Sequence, residues 1–200
     1  AIKELEWAKA NGACGIFKRG YDLNLPVSDP HFHPIYQAAN DLDLPLCIHT
    51  GHPGSDWDRG FPIIASFLSV LSAGLPEKFP TLRFGFIEAG ASWIPYAVSQ
   101  LAMRERSERH HEEVLTTELS KDLFKKNRLF VTVDPVDDIE RLLEFDTASN
   151  LMIGTDYSHS DASANLTALG EVKRWQAAGK IDATVASAIL EANPQNFYGL

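Results

Sequence analysis

The stretch "LPLCIHTGHPGSDWD", residues 44–58, decides the fold. It opens on a continuous apolar run that ends in His49, and Thr50-Gly51 then turn the chain away. A run that is apolar throughout, rather than alternating, marks a strand buried on both faces, as in a parallel sheet. The same form recurs along the chain. "ACGIF" (13–17), "PLCIH" (45–49), "LRFGFIE" (82–88), "LFVTV" (129–133) and "LMIGTD" (151–156) all have it. Between them lie helical patterns over 32–43, 61–74, 93–126, 136–146, 163–178 and 182–191, the third long enough for more than one helix. Asp29-Pro30, Asp134-Pro135 and Asp182 read as helix starts, and Gly74 and Gly179 lie near helix ends.

Strand and helix in alternation predict a parallel α/β fold. An open doubly wound nucleotide binder should carry a glycine-rich phosphate loop after a strand, and the sequence has none. Instead, polar residues stand at strand ends: Lys18 and Arg19, His49, Glu88, Asp134 and Asp156. In a (β/α)8 barrel of the TIM type those ends converge on one face, where active sites are built. The expectation is therefore the C-terminal part of such a barrel, about strands 4 to 8, with roughly three upstream strands outside this sequence. Residues 1–200 are expected to form that one partial domain.

Composition narrows the function. A net charge of −9 and the absence of a basic stripe argue against nucleic acid. No apolar run reaches membrane-spanning length, and "AIKELEWAKANGA" reads as an amphipathic helix rather than a signal peptide. Cys14 and Cys47 sit in apolar runs, which favours reduced core thiols and a cytoplasmic protein over a disulfide framework.

Each polar strand end admits two readings. His49 can ligate a divalent metal, or sit half-buried against a backbone carbonyl. Asp156 can bind a metal, move a proton, or cap the next helix. Glu88, leaving an apolar strand, can serve proton transfer or pair with a cation such as Arg19. Arg19 can bind a substrate carboxylate bidentately or remain a solvated rim charge. Trp93 and Tyr96 can wall a substrate pocket or simply pack. His110-His111 fall in a charged helical stretch and read as solvated surface.

"HFHPIYQAANDLDLPLCIHTG", "FPTLRFGFIEAGASWIPY", "LMIGTDYSHSD" and "ILEANPQNFYGL" together resemble the amidohydrolase-related family, in the branch of aminocarboxymuconate-semialdehyde decarboxylase. Members are metal-dependent (β/α)8 barrels, commonly dimeric, that include decarboxylases and hydrolases. The resemblance implies that His49 and Asp156 are metal ligands on the fifth and eighth strands. It also implies zinc, or else manganese, as the cofactor and a homodimer as the assembly. On the sixth strand many members carry a catalytic histidine before a glycine-rich turn, and here Glu88 takes that slot. A carboxylate can shuttle a proton but cannot present an imidazolium to an oxyanion. His52 and His159 lie three residues past the two ligand candidates and are expected to face substrate, His159 the better placed.

One motif invites a false reading. His31-Phe32-His33 has the spacing of a zinc pair, yet it follows the proline-interrupted "LNLPVSDP" and opens a helix. In the related family the metal-binding His-x-His ends the first strand, upstream of this sequence. The expectation is a metal-dependent enzyme that hydrolyses or decarboxylates a small carboxylated or carbonyl-containing molecule. The competing expectation is a non-catalytic partial barrel used for binding or assembly.

Overall fold

A computed structural model describes residues 1–49, 61–108, 119–159 and 164–200. Its centre is a five-stranded sheet in the order β1-β4-β5-β6-β7, every pairing parallel. The strands are β1 (Ile16–Arg19), β4 (Leu46–His49), β5 (Phe84–Ile87), β6 (Leu129–Val133) and β7 (Leu151–Ile153). Neighbours in sequence are neighbours in space, with helices between them. This is the order of consecutive barrel strands, and the chain forms part of a (β/α)8 barrel.

The apolar runs are continuous because each strand face has its own cover. On the outer face Leu46, Ile48, Phe84, Phe86, Leu129, Val131 and Leu151 belong to the large core shared with the helices. On the inner face Phe130 and Met152 pack with Phe197 of the C-terminal helix, joined by Cys47, Ile87 and Tyr198. The inner plug demands a glycine beneath it. A β-carbon on Gly85 would lie 2.3 Å from the Phe197 ring. Asn193 pins the same segment by donating to the carbonyls of Ala148 and Leu151, at 2.9 and 2.7 Å.

Around the sheet run α1 (Ile2–Ala10), α2 (His33–Asp41), α3 (Phe61–Ser72), α4 (Leu75–Lys78), α5 (Ile94–Glu108), α6 (Leu123–Lys126), α7 (Ile139–Leu143), α8 (Ala168–Ala177), α9 (Ala183–Ser187) and α10 (Asn193–Tyr198). The expected caps at Asp29 and Asp182 form, their carboxylates accepting from His31 N and Val185 N. Gly74, with φ +63°, lies just past α3, near the helix end expected over 61–74, and precedes the short α4. A π-turn over Ala188–Ala192 carries the chain directly from α9 into α10, so the helical end runs past residue 191. The region 136–146 is helical only over Ile139–Leu143, because Asp138 rather than Asp134 caps it.

Residues read as a plain loop hold a short antiparallel hairpin, β2 (Tyr21–Asp22) with β3 (Leu25–Pro26). Its turn places Leu23 and Asn24 at positive φ, and its carboxylate, Asp22, receives both cations that end the first strand. No helix of the described residues is long and apolar enough to cross a membrane.

Candidate active site

At the C-terminal ends of the strands lies a cleft of about 430 Å³, lined among others by His49, Glu88, Thr132, Asp134, Asp137 and Asp156. Strand β4 ends on His49, whose Nε2 stands 2.6 Å from Oε2 of Glu88, the residue after β5. Asp156 follows β7, and its Oδ2 lies 2.6 Å from Nδ1 of His159. That same Nδ1 is 3.8 Å from Glu88 Oε1. Three strands thus bring four titratable side chains into one chain of contacts.

Glu88 and Asp156 both adopt left-handed backbone, with φ of +65° and +47°. A residue with a β-carbon adopts this conformation at a cost of about 1–2 kcal/mol. The turn it makes directs each carboxylate across the barrel mouth instead of along the next stretch of chain. The loop after Glu88 is held by Asp137, a buried carboxylate. It accepts from Ala91 N, Ser92 N, the Ser92 hydroxyl and Asp134 N, joining the rims that follow β5 and β6. Gly90, at φ +59°, passes so close that a β-carbon would meet the Asp137 oxygens at 3.2–3.3 Å.

The donor set suits a divalent cation. Glu88, Asp156 and His159 each offer an atom, all within 4.8 Å of one another. Glu88 Oε2 is buried 2.6 Å from His49 Nε2 and makes no hydrogen bond of good geometry among the described residues. Oxygen and imidazole nitrogen together are the ligand chemistry of zinc, manganese and related ions.

Of the residues singled out in the sequence, the structure brings together His49, Glu88, Asp156 and His159. Arg19 is placed elsewhere. Its Nε and a terminal nitrogen both lie 2.9 Å from Asp22 Oδ1, and Lys18 Nζ takes Asp22 Oδ2 at 2.7 Å while sitting 4.0 Å over the Phe32 ring. Burial alone would raise the Asp22 carboxyl, but the two cations hold it below the ordinary carboxylate value. Trp93 is buried against Phe67 and Phe86, and its indole N–H donates to Gly90 O at 2.8 Å. It fixes the rim loop from the core side. His31 and His33 lie on the 3-10 turn and α2, where His33 packs edge-on against Phe79, away from the cleft. His52 and His110-His111 fall outside the described residues.

Thr132 and Asp137 line the cleft without having been foreseen. Asp137 had a signal, since "DPVD" (134–137) sets one carboxylate where it can accept from the backbone of the other. Thr132 had none, because a threonine inside an apolar strand reads as an ordinary β-former.

A parallel barrel segment with carboxylates and imidazoles gathered at its strand ends is the place where (β/α)8 proteins build their active sites. The sequence matches the amidohydrolase family over residues 1–200, and the chain belongs to that family. Among curated proteins, 2-keto-4-carboxy-3-hexenedioate hydratase from a Sphingobium strain is 30% identical over 83 residues, 38% of this chain and 24% of the hydratase. Among solved structures, 5-carboxyvanillate decarboxylase from Sphingomonas paucimobilis superposes with a TM-score of 0.77 at 18% identity. That match covers all of this chain and 63% of that one. A Polaromonas dihydroxybenzoic acid decarboxylase with bound manganese and 2-nitroresorcinol gives 0.75 at 18% identity, covering all of this chain and 65% of that one. The chain thus spans just under two thirds of these solved relatives.

Proposed function

We propose that this chain carries the C-terminal half of the active site of a divalent-metal-dependent enzyme. Its substrate is a small carboxylated or carbonyl-containing molecule, which it hydrolyses or decarboxylates. The observation that carries the reading is Glu88, a largely buried carboxylate between His49 and His159 with Asp156 alongside. His49 and Asp156 would hold the ion together with Glu88 and His159. Manganese is favoured over zinc, because it is the metal named in the related solved decarboxylase. When bound, such an ion supplies a Lewis acid for a substrate oxygen.

The protein groups set the rest. The cleft is lined by Glu88, Asp134, Asp137 and Asp156, with no lysine or arginine among its described lining residues, so its own field repels a bare carboxylate. A bound cation would offset that charge for an anionic substrate, which links its binding to metal loading. Glu88 is the proton carrier. As a carboxylate it accepts a proton from attacking water, and as an acid it returns one to the carbon or heteroatom left behind. Neither role needs the imidazolium that a histidine in this slot would offer.

The test is turnover of a panel of hydroxybenzoates, oxo-dicarboxylates and lactones by the manganese-loaded full-length protein, scored for carbon dioxide and for incorporated solvent oxygen. Glu88→Gln is expected to lower turnover by roughly 10²–10⁴ with metal content retained. Unchanged turnover in that variant would remove Glu88 from the chemistry.

A further inference from the structure

We propose that Thr132 is a positioning residue, whose hydroxyl holds Glu88 in the left-handed turn that delivers its carboxylate to the cluster. The inference deepens the metal-centred reading above and rests on it. The β5–β6 ladder runs through Phe84↔Leu129, Gly85↔Phe130 and Phe86↔Val131, and Glu88 is the point where the chain leaves it. There the Glu88 N–H donates to the Thr132 side chain, Oγ1, at 3.0 Å. The same hydroxyl donates onward to Phe86 O at 3.4 Å.

One side chain on β6 thus joins an N–H and a carbonyl two residues apart on the neighbouring strand. A hydroxyl does this because it donates and accepts at once. The bridge fixes the backbone on both sides of Ile87, and Glu88 turns out of the sheet at φ +65°. Valine has the same shape but offers the Glu88 N–H only a methyl group. Nothing at this position would then hold the turn against return to an extended backbone, which carries the carboxylate away from His49. Thr132 lines the cleft, but its hydroxyl is engaged by the Glu88 N–H and the Phe86 carbonyl, so it acts through Glu88.

The experiment compares full-length wild type with Thr132→Val and Thr132→Ser, by amide hydrogen exchange at Glu88 without metal, by Mn²⁺ titration calorimetry, and by thermal midpoint. Thr132→Val is expected to speed exchange at Glu88 and to weaken Mn²⁺ binding about tenfold, the scale set by groups that orient ligands. Thr132→Ser, which keeps the hydroxyl, is expected to match wild type in both. Unchanged exchange at Glu88 in Thr132→Val overturns the proposal, and so does faster exchange with unchanged Mn²⁺ affinity. Loss of Mn²⁺ affinity in a folded Thr132→Ser also overturns it, by assigning the effect to the methyl group. If wild type binds no Mn²⁺, the metal-centred reading fails, and the proposal as an aid to metal binding is overturned with it. The exchange rates then show separately whether the hydroxyl holds the Glu88 backbone.

Discussion

His49 Nε2 and Glu88 Oε2, delivered by adjacent parallel strands, stand 2.6 Å apart at the barrel mouth. The contact exists because β4 ends on its polar residue in register with Ile87, one position before Glu88 turns inward. Neither the left-handed backbone nor the buried oxygen without a directed hydrogen bond is what folding alone would select. Glu88→Gly relieves both. It is expected to raise stability by about 1 kcal/mol, after the glycine entropy cost, while weakening Mn²⁺ binding. Chemical denaturation of the metal-free proteins measures the first effect, and a stability loss of that size would contradict it.

The inner face of the sheet should be the most sensitive packing site. Gly85→Ala forces its methyl into the Phe197 ring and is expected to cost about 1–3 kcal/mol. Phe197→Ala empties the same space from the other side, at about 3–5 kcal/mol. Made together, the two changes are expected to cost less than their sum, which a double-mutant cycle reads directly.

Asp137→Ala strands the amides of Ala91, Ser92 and Asp134. Only the Ala91 amide is buried, the other two being partly open to water, so a loss of about 1–3 kcal/mol is expected. Asp137→Asn keeps one acceptor oxygen and should fall between. Urea denaturation of the three proteins orders them.

The two thiols should separate by pH. Burial pushes the Cys47 thiol up to about 11, against the bond it shares with Tyr198, whose hydroxyl is itself raised to about 12, chiefly by burial. Cys14 is exposed. At pH 8 one thiol, Cys14, is expected to react promptly with an alkylating reagent and Cys47 to resist, as mass spectrometry would show. A raised folded-state value means that the protonated thiol favours the fold. Stability from Cys47 is therefore complete below its ordinary value of 9.0 and is lost as pH climbs toward 11. Cys47→Ala should remove that part of the alkaline loss.

The strand ends were legible because apolar runs and terminal polar residues are local signals. His49, Glu88 and Asp156 needed only the rule that parallel strands converge at one end. Arg19 and Trp93 went elsewhere for reasons no local pattern carries. The acceptor for Arg19 is Asp22, presented by a two-residue strand too short to show periodicity, and Trp93 is drawn inward by Phe67 and Phe86. Thr132 and Asp137 act through hydrogen bonds to backbone across strands, which depend on register. The His31-Phe32-His33 pair shows the converse, a spacing without the strand that would give it a site.

Asp156, with its neighbours, is expected to hold a divalent ion. The decisive measurement is the metal content of full-length wild type and Asp156→Ala after Mn²⁺ loading and exhaustive dialysis. Wild type is expected to retain a near-stoichiometric ion, and Asp156→Ala to lose it while keeping its fold by circular dichroism. Retention of the ion by folded Asp156→Ala at the wild-type level would contradict the account.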